Sequence, residues 1–271
     1  LNQTETRTGR ISSTEPNLQN IPVRSPLGRE MRKFFVARDG YVLVDADYSQ
    51  IELRVLAHIS GDQNMIKAFN DNTDIHTVTA SEVFDMPPQL VTPIMRSRAK
   101  AVNFGIVYGI GAFSLAKDIG VSRSEADEYI KGYLRHYSGV DKYMHDVVEK
   151  AKKDGYAETM FARRRYLPEL TASNANTRAF GERVARNMPI QGTAADIIKI
   201  AMIRVYERLE RENLAAKLIM QVHDELIVEA PENEKERVSA LLKEEMENAV
   251  KLSVALTADV HSGRTWYDAK G

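Results

Sequence analysis

Asp47, Asp224 and Glu225 are the acids best placed to do chemistry, because each stands at the end of a run that is otherwise largely apolar. Residues 42–47 read Val-Leu-Val-Asp-Ala-Asp, and residues 218–225 read Leu-Ile-Met-Gln-Val-His-Asp-Glu. Taken singly, either aspartate reads as a turn former or a helix cap. Taken together they point elsewhere: two strands lying side by side in one sheet would bring both carboxylates to one rim. Like charges that close repel, and a hard divalent cation offsets them. Mg²⁺ is typically held by one or two carboxylates, with water and substrate phosphates in its remaining positions. Two such ions, about 4 Å apart, form the layout of phosphoryl transfer.

A second constellation is cationic and aromatic. On a helix, Arg96, Lys100, Phe104 and Tyr108 recur every four residues and make one slowly drifting stripe, followed by Gly109. Arg and Lys suit phosphate oxygens, while aromatic faces stack on bases or sugars. A surface helix with solvated cations and two core aromatics fits the same spacing. A third set is Arg183, Arg186, Asn187 and Gln191, with Asn17, Gln19 and Asn20 near the start of the sequence. These amides and guanidiniums suit minor-groove acceptors and sugar-phosphate, and equally suit caps and turns. The run Arg163-Arg164-Arg165 reads as a solvated loop, with unspecific contact to a DNA backbone as the alternative.

These residues need elements to hold them. Tyr41 to Asp47 has the length and Val content of a buried strand, and a helix follows from about Ser49 to Ser60, stopped by Gly61-Asp62. From there to about Ala172 the pattern is mostly helical, with a capping box at Ser122-Arg-Ser-Glu125. Thr193-Ala-Ala-Asp196 reads as the opening of a long helix with Ile197, Ile198, Ala201, Met202, Val205 and Leu209 on its apolar face. Two alternating strands joined at His223-Asp224 make a hairpin, a helix runs from Glu232 to about Val250, and Val254 to Val260 adds an edge strand. Strand, helical block, helix, hairpin, helix is an α+β layout.

Composition sets the limits. The 271 residues, 43% hydrophobic, can bury a sizeable core, and no apolar run reaches the ~18 residues of a membrane span. With no cysteine, disulfides and thiolate metal sites are excluded, so a metal would be held by oxygen or imidazole; a reducing cytoplasm fits. A net charge of -1 excludes a small basic nucleic-acid module but not a local positive groove.

Three stretches carry a resemblance. DYSQIELR at Asp47 to Arg54, the R-x3-K-x7-Y-G helix from Arg96 to Gly109, and QVHDEL at Gln221 to Leu226 resemble, in that order, the three polymerase motifs of the A family of DNA polymerases. The likeness runs from Thr8-Gly9-Arg10 to Trp266-Tyr267-Asp268. It implies an antiparallel palm sheet with packed helices, in two parts at 1–60 and 176–271, around a mostly helical fingers insertion at 61–175. The thumb and exonuclease-like domain of the family are expected to be absent from this stretch, which reads as a fragment.

The resemblance also implies roles. The chain would be a monomeric, membrane-free enzyme of the bacterial cytoplasm that adds deoxynucleotides to a primer 3′-hydroxyl in replication and repair. Its partners would be primer-template DNA and deoxynucleoside triphosphates, and its cofactor two Mg²⁺ ions. Asp47 and Asp224 match the metal-binding aspartates, with the backbone carbonyl of Tyr48 as a further ligand and Glu225 as a secondary acid. Asp45 matches no ligand and reads as structural. Arg96, Lys100 and His76 match residues holding the triphosphate, with Lys100 also donating a proton to the departing pyrophosphate. Phe104 would pack on the deoxyribose, Tyr108 with Gly109 would border the nascent pair, Gln50 would lie at the nucleotide site, and Glu52 matches a gate against a 2′-hydroxyl. Arg10, Arg183, Asn187, Gln191 and His223 match residues lining the primer-template, joined here by Asn17, Gln19 and Asn20.

Three rivals predict different behaviour. A single-subunit RNA polymerase would want a small residue at Glu52, and a two-metal nuclease would not need the Arg96 to Tyr108 stripe. An inactive fragment that only binds nucleic acid would show affinity without extension.

Overall fold

The apolar segment at 41–48 becomes strand β1 (Tyr41–Tyr48), with Leu43 to Ala46 all buried. The computed structural model describes residues 1–21 and 26–270. The helices that follow β1 are α2 (Ile51–Ser60), α3 (Gln63–Asn70), α4 (Ile75–Val83), α5 (Pro93–Val107), α6 (Ala112–Ile119), α7 (Arg123–His136) and α8 (Ser138–Asp154); α1 (Pro26–Met31) precedes it. Next come β2 (Tyr156–Glu158), β3 (Arg164–Tyr166), α9 (Ala175–Arg211), β4 (Lys217–Val222), β5 (Glu225–Pro231), α10 (Lys235–Glu247), β6 (Ala258–Gly263) and α11 (Trp266–Ala269). The chain divides into two compact units, Leu1–Ile51 with Ala194–Lys251 and Leu256–Gly271, and Glu52–Thr193 with Leu252–Ala255. The divisions fall after Ile51, the first residue of α2, and after Thr193 within α9, whereas the family resemblance implies divisions near 60 and 175. Among the described residues no helix is long and apolar enough to cross a membrane.

The first unit is built on an antiparallel sheet in the order β4-β5-β1-β6. The expected hairpin is β4-β5, turning at His223 and Asp224, with His223 in the left-handed region at φ 52°. Alternation along β1 separates two faces. Tyr48, on the face shared with Val44 and Ala46, donates its hydroxyl to the Met246 carbonyl of α10 at 2.6 Å. Leu43, on the other face, packs with Val222, Ile227, Trp266 and Ala269. Asp45 and Asp47 share that second face, which α11 covers. Gly263 permits this packing: a Cβ there would sit 2.4 Å from Asp268 Cβ.

The second unit is mostly helical, as expected. Asp62 accepts from Met65 N–H at 2.9 Å and from Gly139 N–H at 2.8 Å, tying the start of α3 to the start of α8. Ser122 and Glu125 form the capping box expected from the sequence. Two expectations fail here. Thr193 does not open a helix but lies inside α9, which continues through Pro189. Its hydroxyl instead accepts from Met160 N–H at 3.1 Å. Nor is 163–165 a loop throughout, since Arg164 and Arg165 lie in β3, paired with Glu158 and Ala157. Cross-strand contacts make the run a strand: Arg164 Nε lies 3.2 Å from Glu158 and its guanidinium 4.5 Å from the Tyr156 ring centroid.

Candidate active site

Strand register sets the acids of the first unit at one end of the sheet. Asp47 lies opposite Glu225 across the β1-β5 ladder. One residue on, Tyr48 N–H donates to the Asp224 carbonyl at 3.1 Å, so Asp47 and Asp224 end adjacent strands at the same rim. Tyr48 itself is buried, and its phenol is pushed well above the ordinary range by burial, so its hydroxyl stays a donor and the side chain anchors the strand end. Gln50 sits in the turn just beyond, at φ 55°, with its side-chain oxygen buried and without a hydrogen-bond partner.

The acids are not equivalent. Asp47 remains 44% exposed and Asp224 partly so, whereas Glu225 is 5% exposed. Glu225 accepts from Trp266 Nε1 at 2.6 Å and from Lys270 Nζ at 2.7 Å; the same lysine donates to Asp47 Oδ2 at 2.9 Å. Asp45 is buried on the same face, and one of its oxygens meets no donor. Burial first, then the neighbouring Glu225, raise its pKa above the ordinary carboxylate range and favour its protonated form. Burial opposes ionisation of Glu225 too, but the Asp45 proton and Lys270 hold it below its ordinary value.

Beside this rim, Arg10, Gln19, Lys199, Gln221, His223 and Asp224 line one pocket, with Ile11, Ala195 and Ile198 as its apolar wall. His223 Nε2 lies 2.9 Å from the Gln19 carbonyl, which makes Nε2 the protonated nitrogen. Gln19 donates to the Ile11 carbonyl at 2.9 Å, and Asn17 accepts from Gln19 N–H at 3.1 Å, so both amides fold the local loop; Asn20 is exposed. Lys199, which no sequence pattern singled out, donates to the Gly9 carbonyl and holds the segment carrying Arg10.

On the second unit, α5 carries the stripe. Thr92 caps it, accepting from Met95 N–H at 3.3 Å. Lys100 is exposed, Phe104 half-buried and Tyr108 46% exposed at the helix end. Arg96 is clamped by Asp74, with Nε 2.5 Å and a terminal nitrogen 3.2 Å from the carboxylate oxygens. Burial opposes this, yet the Arg96 and Thr77 hydrogen bonds bring Asp74 down to about 2. His76 is buried beside them, its ring centroid 5.9 Å from that of Phe104 and its Nδ1 3.1 Å from Asn103 Nδ2. Asn103 donates, so Nε2 carries the ring proton. Glu52 is buried and accepts from the Tyr108 hydroxyl at 3.0 Å. Asn187 donates to the Val107 carbonyl at 3.2 Å, and a Cβ on Gly109, at φ 66°, would lie 3.2 Å from Arg183 Cγ. Arg183 is exposed, Gln191 half-buried, and both share the Asn187 face of α9.

The His76 environment makes a pH prediction. Burial, aided by the charges of Arg96 and Lys100, lowers its pKa to about 4 despite Asp74. The folded state then binds fewer protons than an unfolded chain titrating near 6.5, so the stability it contributes is present above pH 6.5 and lost toward pH 4. Denaturant melts should show up to ~3 kcal/mol lost across that window. His76→Gln should flatten the loss by the same amount; an unchanged profile would contradict a buried neutral imidazole.

With that geometry in view, comparison with known proteins defines the class. The sequence model for DNA polymerase family A matches residues 1–268. The chain belongs to that family. It is 54% identical over 268 residues to DNA polymerase I of Caldicellulosiruptor bescii, covering 99% of this chain and 32% of that protein. It is 55% identical to DNA polymerase I of Bacillus caldotenax, covering 100% of this chain and 31% of that protein. The chain thus spans about a third of these relatives' length. Among solved structures, the POL domain of Pol1 from M. smegmatis, in complex with DNA primer-template and dNTP, matches with a TM-score of 0.96 and 48% identity. That match covers 100% of this chain and 48% of the solved one.

Proposed function

We propose that this chain is the palm and fingers part of a template-directed DNA polymerase, adding deoxynucleotides to a primer 3′-hydroxyl and releasing pyrophosphate. The observation that carries the reading is the meeting of two strand ends: Asp47 and Asp224 stand at one rim, joined by the bond from Tyr48 N–H to the Asp224 carbonyl. The sheet unit corresponds to a palm and the helical unit to fingers.

The donor set suits a hard cation. Two partly exposed carboxylates and a backbone carbonyl are oxygen ligands, too few to enclose an ion, and Mg²⁺ keeps positions for water and phosphate. Among the described residues no three His, Asp or Glu side chains are grouped so as to hold a metal ion. Asp47, Asp224 and the Tyr48 carbonyl would hold the ions. Bound Mg²⁺ supplies neutralisation of polyphosphate charge and a lower pKa for the attacking hydroxyl.

The chain's own residues do the rest. Arg96, aimed by Asp74, and Lys100 bind the triphosphate, and neutral His76 adds its Nε2 proton as a donor. Lys100 carries the proton that the departing pyrophosphate takes. Phe104 packs on the sugar, Tyr108 borders the new base pair, Gln50 lies at the nucleotide, and Glu52 excludes a 2′-hydroxyl. Arg10, Arg183, Asn187, Gln191 and His223 line the primer-template by contacts available at every base pair. Asn17 and Gln19 support that lining through the loop they fold. The reading places the reaction in a bacterial cytoplasm.

Extension of a labelled primer on a template, with Mg²⁺ and the four deoxynucleotides, is the test. Template-directed lengthening is expected. DNA binding with no lengthening at high protein concentration would replace the reading with that of a binding piece, and shortening without nucleotides would replace it with a nuclease.

A further inference from the structure

Lys270 has no part in the roles above, yet its ammonium bridges the rim. Nζ lies 2.9 Å from Asp47 Oδ2 and 2.7 Å from Glu225 Oε2, and its side chain is only 28% exposed. Trp266, on the helix just before it, is fully buried and donates to the other Glu225 oxygen at 2.6 Å, so the backbone carrying Lys270 is fixed from one turn away. Asp47 lies opposite Glu225 on one side and Asp259 on the other, a row of acids across three strands. An ammonium inserted in that row offsets their repulsion, as a bound cation would.

We propose that Lys270 is a resident counter-cation of the carboxylate rim, holding Asp47 against Glu225 and competing with a divalent ion for Asp47. The inference rests on the reading of Asp47 and Asp224 as metal ligands. Its physical basis is simple electrostatics: a fixed positive charge within hydrogen-bond distance of a ligand oxygen weakens the attraction of that carboxylate for a second cation. The same charge keeps Asp47 ordered, so the residue sets how tightly metal binds without touching nucleotide. It is a positioning residue.

The test is Mn²⁺ binding to the protein alone, read by the electron spin resonance of free Mn²⁺, alongside thermal melts with and without the ion. Lys270→Met should bind Mn²⁺ about tenfold more tightly than the parent, melt lower without metal, and gain more from metal in Tm. Lys270→Arg, which keeps the charge, should restore parental affinity. If Lys270→Met fails to fold, Lys270→Met/Glu225→Gln removes one charge of each sign and should fold with near-parental affinity. Unchanged or weaker Mn²⁺ binding in Lys270→Met, or in the double variant a tenfold change in affinity, would overturn the proposal. Asp47→Asn and Asp224→Asn run in parallel separate the two ideas. Parental Mn²⁺ binding in both would remove the metal-ligand reading itself, whereas loss in those variants with no change in Lys270→Met would remove only the counter-cation.

Discussion

Asparagine at position 47 or at position 224 should lower primer extension by on the order of 10³-fold or more while shifting Tm by only a few degrees. The loss follows from what a carboxylate supplies and an amide does not. The amide keeps shape and one acceptor oxygen but gives no charge to hold a divalent ion, and ~4 kcal/mol of lost transition-state stabilisation is about three decades in rate. The fold should tolerate the change. Asp47 is 44% exposed and its pairing is set by backbone bonds from β1 to β5 and β6, while Lys270 keeps Glu225 as a partner. An exposed ion pair contributes little beyond that. Asp45→Asn is the control. Burial favours the protonated form of Asp45, so an amide that can donate to Glu225 should leave extension within a fewfold of the parent. Extension at the parental rate by either the 47 or the 224 variant would dissolve the metal assignment, and a loss in the 45 variant as deep as theirs would show that the face as a whole, rather than the rim, is what extension needs.

The strand ends are legible in the sequence because burial and charge conflict there. An apolar segment that closes on an acid needs a reason for the acid, and period-two alternation by itself puts Asp45 and Asp47 on one face. The partners on that face, Trp266, Glu225 and Lys270, lie more than 170 residues further on, and no local pattern announces them. The same division holds on the second unit. Four-residue spacing lays Arg96, Lys100, Phe104 and Tyr108 along α5, but His76 enters only through the family likeness, and Asp74 and Asn103, which fix Arg96 and His76, carry no sequence signal.

Where the expected elements differ from the observed ones, burial has overridden local propensity. Thr193-Ala-Ala-Asp196 reads as a helix start, yet α9 already runs through it from Ala175, with Pro189 inside. Proline costs an interior helix a hydrogen bond, and here Met188, Ile190, Ala194 and Ile197 are buried at 1% exposure or less, which holds the helix together across the defect. Strands β2 and β3 are three residues each, too short for alternation to register, and Arg164 is exposed while Arg165 is half-buried, which is why the run resembles a loop.

Replacing Glu52 with alanine should admit ribonucleotides, raising their kcat/KM relative to deoxynucleotides on the order of 100-fold. Glu52 is 5% exposed and fixed by the 3.0 Å bond from Tyr108, so its carboxylate has one position and not a range of rotamers. A blocking group works only if it cannot swing aside. Tyr108→Phe deletes that tether alone, and because a hydrogen bond to a charged group contributes ~1.5 kcal/mol or more, it should relax discrimination by about tenfold while leaving Glu52 in place. Two graded effects in this order identify the tethered side chain as the cause. Equal effects would mean that Tyr108 acts on the sugar directly, and unchanged discrimination in Glu52→Ala would end the gate assignment. Both nucleotides are compared on the same protein, so any loss of folded material lowers the two rates together and cancels from the ratio.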